Sequence, residues 1–264
     1  MLIGGLQCDT VWEDRGANFE RLRPEIGRAA AAGVRLLVLP ELFSTGFSMA
    51  TDRIAEPVDG PSASFLREQA MIHGMWVGGS VPERPAGASR PFNTFVLSAP
   101  DGRLHRYRKM HTFTASGEGE HYAAGDGPVT VEVGGFRATL FVCYDLRFAG
   151  DFWETALTTD LYLVPANWPE VRRTHWTTLL RARAIENQAY VLGVNRVGRD
   201  GNDLSYVGDT LVVDPWGEVL AAASGGETLV MARVDPASVQ EARERFPLLQ
   251  ERQGPASADA AWLT

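Results

Sequence analysis

Val34-Arg35-Leu36-Leu37-Val38-Leu39-Pro40-Glu41 decides the fold class. The apolar run stops at a proline and a carboxylate, far short of the roughly 18 residues a membrane-spanning helix requires, and reads as a fully buried strand. Upstream, Asn18 to Ala32 place Phe19, Leu22, Ile26 and Ala29 on one helical face before Gly33 stops the helix. Leu2 to Leu6 reads as an earlier strand. Short β-like runs alternating with amphipathic stretches are the signature of an α/β fold.

The same alternation continues downstream. A helix with Ser64 as its cap, carrying Phe65, Leu66 and Met71, leads to a strand over Met75 to Gly79. Phe92 to Ser98 and Leu104 to Arg108 flank the turn Pro100-Asp101-Gly102, and Val129 to Val133 and Phe136 to Val142 flank Gly134-Gly135, so both pairs read as hairpins. Phe152 to Leu157 reads as helix and Leu161 to Val164 as strand. Thr174 to Gln188 forms a helix able to turn Trp176, Leu179, Leu180 and Ile185 to a core. Tyr190 to Asn195, Leu211 to Val213 and Thr228 to Val234 are further strands. Pro85 to Pro91 is the only loose internal loop, so residues 1–264 read as one domain, with roughly 246–264 as a C-terminal tail holding Phe246, Leu248, Leu249 and Trp262.

With 25 Lys+Arg against 33 Asp+Glu, the net charge of −8 offers no basic field for nucleic acid or an anionic membrane. The N-terminus shows no secretory signal. Cys8 and Cys143 form no CxxC pair, and free thiols fit a cytoplasmic location.

Three reactive groups each follow an apolar strand at its carboxyl end, where open α/β folds place their ligands. They are Glu41, Lys109 and Cys143. Taken singly, each has an ordinary explanation: an acid at a helix N-terminus, a solvated basic face, an inert buried thiol. A thiol beside a lysine and a glutamate would favour its thiolate, whereas Cys8 falls within a core strand. No G-x-S-x-G elbow, phosphate loop or dinucleotide fingerprint is present. His111, Glu118, Glu120 and His121 match no zinc spacing.

Pro40-Glu41-Leu42-Phe43, Lys109-Met110-His111 and Cys143-Tyr144-Asp145-Leu146-Arg147-Phe148, in that order, resemble the nitrilase superfamily of carbon-nitrogen hydrolases. Ala166-Asn167-Trp168-Pro169 and Asp214-Pro215-Trp216-Gly217 extend the likeness, which is strongest to the omega-amidase branch. Ala149 departs from it, since many relatives have proline there. The resemblance implies a four-layer α-β-β-α sandwich, a homodimer formed through Thr174 to Gln188 and the tail, and no cofactor or metal. It also implies a Glu41-Lys109-Cys143 triad acting through a cysteine thioester. A second glutamate accompanies that triad, and Tyr122-Ala123-Ala124-Gly125 favours Glu118 over Glu120. Phe47, Tyr144 and Trp168 are expected around the substrate, a small oxo-dicarboxylate monoamide such as 2-oxoglutaramate or 2-oxosuccinamate. Arg147 could pair with an acid substrate, although a structural ion pair, with nearby Asp145 as its partner, is the favoured reading of that arginine. A nitrilase and a carbamoyl-amine hydrolase share the triad and stand as alternatives. A catalytically silent interaction protein and a metallohydrolase are readings of other classes.

Overall fold

In the computed structural model, which describes residues 1–251, the opening stretch separates two cores. Leu36 and Val38 point into one apolar cluster while Leu37 and Leu39 point into another, the two-residue period of a strand covered on both faces. That strand, β2 (Leu36–Val38), is shorter than the apolar run. It lies between β1 (Leu2–Gln7) and β3 (Trp76–Glu83), parallel to both. The antiparallel strands β4 (Phe92–Ser98) and β5 (Leu104–Arg108) extend the sheet on one side.

The second sheet repeats this plan. β6 (Val129–Val133) pairs antiparallel with β7 (Phe136–Leu140), and β7, β8 (Leu161–Ala166) and β9 (Tyr190–Asn195) run parallel. β10 (Val197–Arg199), β11 (Ser205–Val213) and β12 (Val219–Ser224) complete it, all antiparallel to their neighbours. The last strand, β13 (Thr228–Arg233), returns to the first sheet beside β1, so the chain ties both sheets together.

Helix α1 (Arg15–Ala31) buries Leu22, Ile26 and Ala29 against the first sheet, in company with Phe65, Leu66 and Ala70 of the helix at Pro61–His73. Helices at Ala149–Thr155 and Arg173–Asn187 cover the second sheet, the latter through Trp176, Leu180 and Ala184. The order helix, sheet, sheet, helix is the four-layer α-β-β-α sandwich that the sequence resemblance implies. Gly5 lets the sheets meet closely, since a Cβ there would stand 2.6 Å from a methyl of Val194.

Several expectations need revision. Ser64 lies inside its helix, which begins a turn earlier because Pro61 presets the first helical φ after Gly60. Met71 and Ile185 are exposed, Met71 facing the Gly102 turn and Ile185 the Gly217 turn rather than a core. Strand β12 carries the bland run Leu220-Ala221-Ala222-Ala223, and the helix at Pro236–Arg245 buries only Val239 and Ala242, so neither announces itself by periodicity. Of the tail, Phe246 is exposed, Leu249 is buried and Trp262 lies outside the described residues. Among the described residues no helix is long and apolar enough to cross a membrane.

Candidate active site

Parallel strands from both sheets deliver their carboxyl ends to one place. Glu41 follows β2, Lys109 follows β5, Cys143 follows β7 and Asn167 follows β8. Glu41, Lys109 and Glu118 are almost completely buried there. The Lys109 Nζ donates to Glu41 Oε1 at 2.9 Å and to both Glu118 oxygens at 2.9 Å, and stands 5.3 Å from the centre of the Phe47 ring. Burial alone would discharge this lysine, but the carboxylates of Glu118 and Glu41 reverse the effect and hold its pKa well above the usual value. Glu120 is absent from this cluster, having turned outward on the short helix Glu118–His121. Gly125 closes the loop beneath, its N–H donating to the Lys109 carbonyl at 2.8 Å where a Cβ would collide with the Arg108 backbone.

Two asparagines complete the cluster. Asn93 Nδ2 donates to Glu41 Oε1 at 2.8 Å and to Glu118 Oε1 at 3.3 Å. The Asn167 backbone N–H donates to Glu41 Oε2 at 2.8 Å, and its Nδ2 donates to the Glu41 carbonyl at 2.7 Å. Both carboxylate oxygens of Glu41 are thereby fixed. Sequence reasoning assigned neither asparagine a role. The available signal was a polar side chain in or just beyond a strand that is otherwise buried.

Cys143 opens a 3-10 turn (Cys143–Arg147) with φ +47°, a left-handed conformation that a non-glycine residue adopts only when its surroundings impose it. Its thiol is pushed well above the ordinary value by burial, with the Glu41 charge acting in the same direction and Lys109 opposing. The expectation of a stabilised thiolate is thus overturned: desolvation and an adjacent carboxylate outweigh the lysine, whose charge is already shared between two acids. Cys8 lies just beyond β1 rather than within it.

Cys143 and Asn167 line a cavity of about 430 Å³ together with Phe47, Tyr144, Arg147, Trp168 and Tyr206. Arg147 corrects another expectation. Asp145 turns inward to accept from Tyr107 and two backbone N–H groups. Arg147 faces the cavity instead, its guanidinium 4.7 Å from the Trp168 ring centre and 5.8 Å from that of Tyr144. One of its nitrogens lies 3.1 Å from His175 Nδ1. Among the described residues it has no acidic partner. Of the residues weighed as metal ligands, Glu118 is held by Lys109 and His111 Nε2 by Asp151 at 2.6 Å.

A cysteine, two glutamates and a lysine, with a guanidinium in the cavity that meets no acid among the described residues, suit nucleophilic attack on a carbonyl compound that carries an acid. Residues 2–244 match the family model described as carbon-nitrogen hydrolase. The chain is 40% identical to omega-amidase YafV of Escherichia coli K12 over 248 residues, covering 93% of this chain and 94% of that protein. It is 37% identical to 2-oxoglutaramate amidase of Bacillus subtilis, covering 82% of this chain and 84% of that one. Among solved structures it is similar to a carbon-nitrogen hydrolase superfamily protein from Xanthomonas campestris with an arsenic adduct in its active site. That similarity has a TM-score of 0.91 and 37% identity, over 97% and 98% of the two chains.

Proposed function

Because this chain belongs to the carbon-nitrogen hydrolase family, we propose that it is an amidase cleaving the terminal amide of a small oxo-dicarboxylate monoamide. 2-Oxoglutaramate and 2-oxosuccinamate are the substrates it suits, and the products are the acid and ammonia. The observation that carries this reading is Arg147, which has no acidic partner among the described residues and lies in the cavity that Cys143 opens into. A guanidinium held by two aromatic faces and His175 is a preformed receptor for a substrate carboxylate.

The protonated thiol of Cys143 gives its proton to Glu41 as Sγ bonds to the amide carbon, so the nucleophile is made at the moment of attack. The oxyanion is held by Lys109 Nζ and the backbone N–H of Tyr144. An ammonium has three donors, and a shift of Lys109 from two Glu118 oxygens to one frees a donor for that oxygen. Glu41 returns its proton to the nitrogen, the C–N bond breaks, ammonia leaves, and a thioester to Cys143 remains. Glu41 then deprotonates water, which attacks the thioester carbon. The C–S bond breaks, and the proton on Glu41 returns to the thiol. Asn93 and Asn167 hold Glu41 in line through both half-reactions.

Ammonia release from purified protein tests the substrate class. A site built for a charge is left unpaired by a neutral analogue, so kcat/KM for 2-oxoglutaramate should exceed that for acetamide or a simple nitrile by about 10³-fold. Equal values would return the protein to a broad nitrilase-type hydrolase, and preference for a ureido compound to a carbamoyl-amine hydrolase. A homodimer is part of the same reading. Ile185, Trp216 and Phe246 are exposed apolar side chains, with Ile185 against Gly217 and Arg245 over the Trp216 ring, and they would be covered in a dimer. Two free cysteines fit a cytoplasmic setting.

A further inference from the structure

Among the described residues, Asp145 is the one fully buried acid near the cavity that the chemistry above leaves without a task. Its Oδ1 accepts from the His111 N–H at 2.9 Å, and its Oδ2 accepts from the Tyr107 hydroxyl at 2.7 Å and from the Val142 N–H at 2.9 Å. The Tyr107 oxygen in turn accepts from the Met110 N–H at 3.2 Å. These partners flank the reacting groups on both sides: Tyr107, Met110 and His111 bracket Lys109, and Val142 precedes Cys143. Among the described residues no cation touches the carboxylate, and burying an unpaired charge is costly. A neutral side chain would be the easier occupant if filling space were its only role.

Among the described residues, three donors converge on the two carboxylate oxygens. A carboxylate accepts on every face, whereas an amide would turn an N–H against at least one of those donors. The Cys143 backbone also sits at φ +47°, and the Val142 N–H bond closes the turn that holds it there.

We propose that Asp145 is a positioning residue for the hydrolysis, a buried carboxylate that locks the Lys109 segment to the strained turn carrying Cys143 and so sets the lysine-to-thiol geometry. The proposal rests on the assignment of Cys143 and Lys109 as the reacting pair. It gives Asp145 no contact with substrate.

The test compares wild type, Asp145→Asn and Tyr107→Phe by kcat, KM, Tm and the rate at which iodoacetamide alkylates Cys143, read site by site by mass spectrometry. Alkylation needs no amide, so it reports thiol geometry even if the substrate assignment is wrong. Asp145→Asn should lower kcat about 10²-fold at a temperature well below its Tm, with KM within a few-fold and Cys143 alkylation slowed. Tyr107→Phe removes one of three bonds and should lower kcat several-fold, in the same direction. Wild-type kcat and alkylation in a folded Asp145→Asn protein with a reduced Tm would overturn the proposal and make Asp145 a structural core group. If Asp145→Asn does not fold, the decision passes to Tyr107→Phe, and unchanged kcat and alkylation there overturn the proposal equally.

Discussion

Cys8 and Cys143 are both buried thiols just beyond a central parallel strand, one from each sheet. Burial pushes Cys8 up to about 12, with Glu227 adding to the effect, and it raises Cys143 as well. Neither burial nor acidity marks the nucleophile. The difference lies in what faces each sulfur. Cys8 has Glu227, Arg196, Arg21 and Asp9 in its electrostatic surroundings, with its own strand regular behind it. Cys143 stands on a left-handed turn under an open cavity, opposite a carboxylate whose oxygens are fixed by three neighbours. On the proposed mechanism, Cys143 is set apart by a base in range and a path for substrate, and not by a lowered thiol pKa.

The largest test of that contrast removes each sulfur in turn. Cys143→Ala should abolish ammonia release in a folded protein, while Cys8→Ala should keep nearly full activity. Turnover by the first variant would dissolve the distinction. Lys109→Met comes next. Loss of an oxyanion donor typically costs about 10² to 10³ in kcat. The variant also leaves Glu41 and Glu118 buried without their cation, a destabilisation of about 3–5 kcal/mol, so Tm should fall too. Wild-type activity in Lys109→Met would reduce the lysine to an ion-pair partner.

Arg147→Gln should act on binding. KM for 2-oxoglutaramate should rise about 10- to 100-fold, as for loss of a charged hydrogen bond, with a much smaller change for acetamide. An equal rise for both amides would make the arginine a wall rather than a receptor. The smallest effect is that of pH. Burial raises Asp145 from its ordinary 3.8 to about 6, against the pull of Lys109 and the bonds from Tyr107, Val142 and His111. Between those values the native protein holds a proton that the unfolded chain lacks, so this group's contribution to stability grows as pH falls through the window. The added hydrogen meets three donors, and activity should move the other way, dropping several-fold and reversibly below pH about 6. Parallel kcat and Tm profiles check this, since a Tm that collapses in step with kcat assigns the loss to unfolding.

The strand ends bearing Glu41, Lys109 and Cys143 were legible because an apolar run breaking into a polar residue is a local pattern. Glu118 was separable from Glu120 only through a family spacing, and the difference between them is burial, which no local pattern carries. For Arg147 the sequence offers two partners, a substrate acid and Asp145, and the nearer one, two positions away, is the wrong choice. In the 3-10 turn the two side chains leave on opposite sides, one to the backbone of a distant segment and one to the cavity. Asn93 and Asn167 were silent for a related reason. Each matters through a bond to Glu41 across 52 and 126 positions of chain, a relation that exists only after the sheets have met.

That meeting has a kinetic consequence. Glu41 rides on the first sheet and Cys143 on the second, and β13, the last strand among the described residues, closes the first sheet. Neither sheet alone holds a working set of groups, and contacts so far apart in sequence form late. During refolding from denaturant, far-UV circular dichroism should therefore recover ahead of ammonia release, making catalysis itself the clock for the final docking of one half of the molecule onto the other.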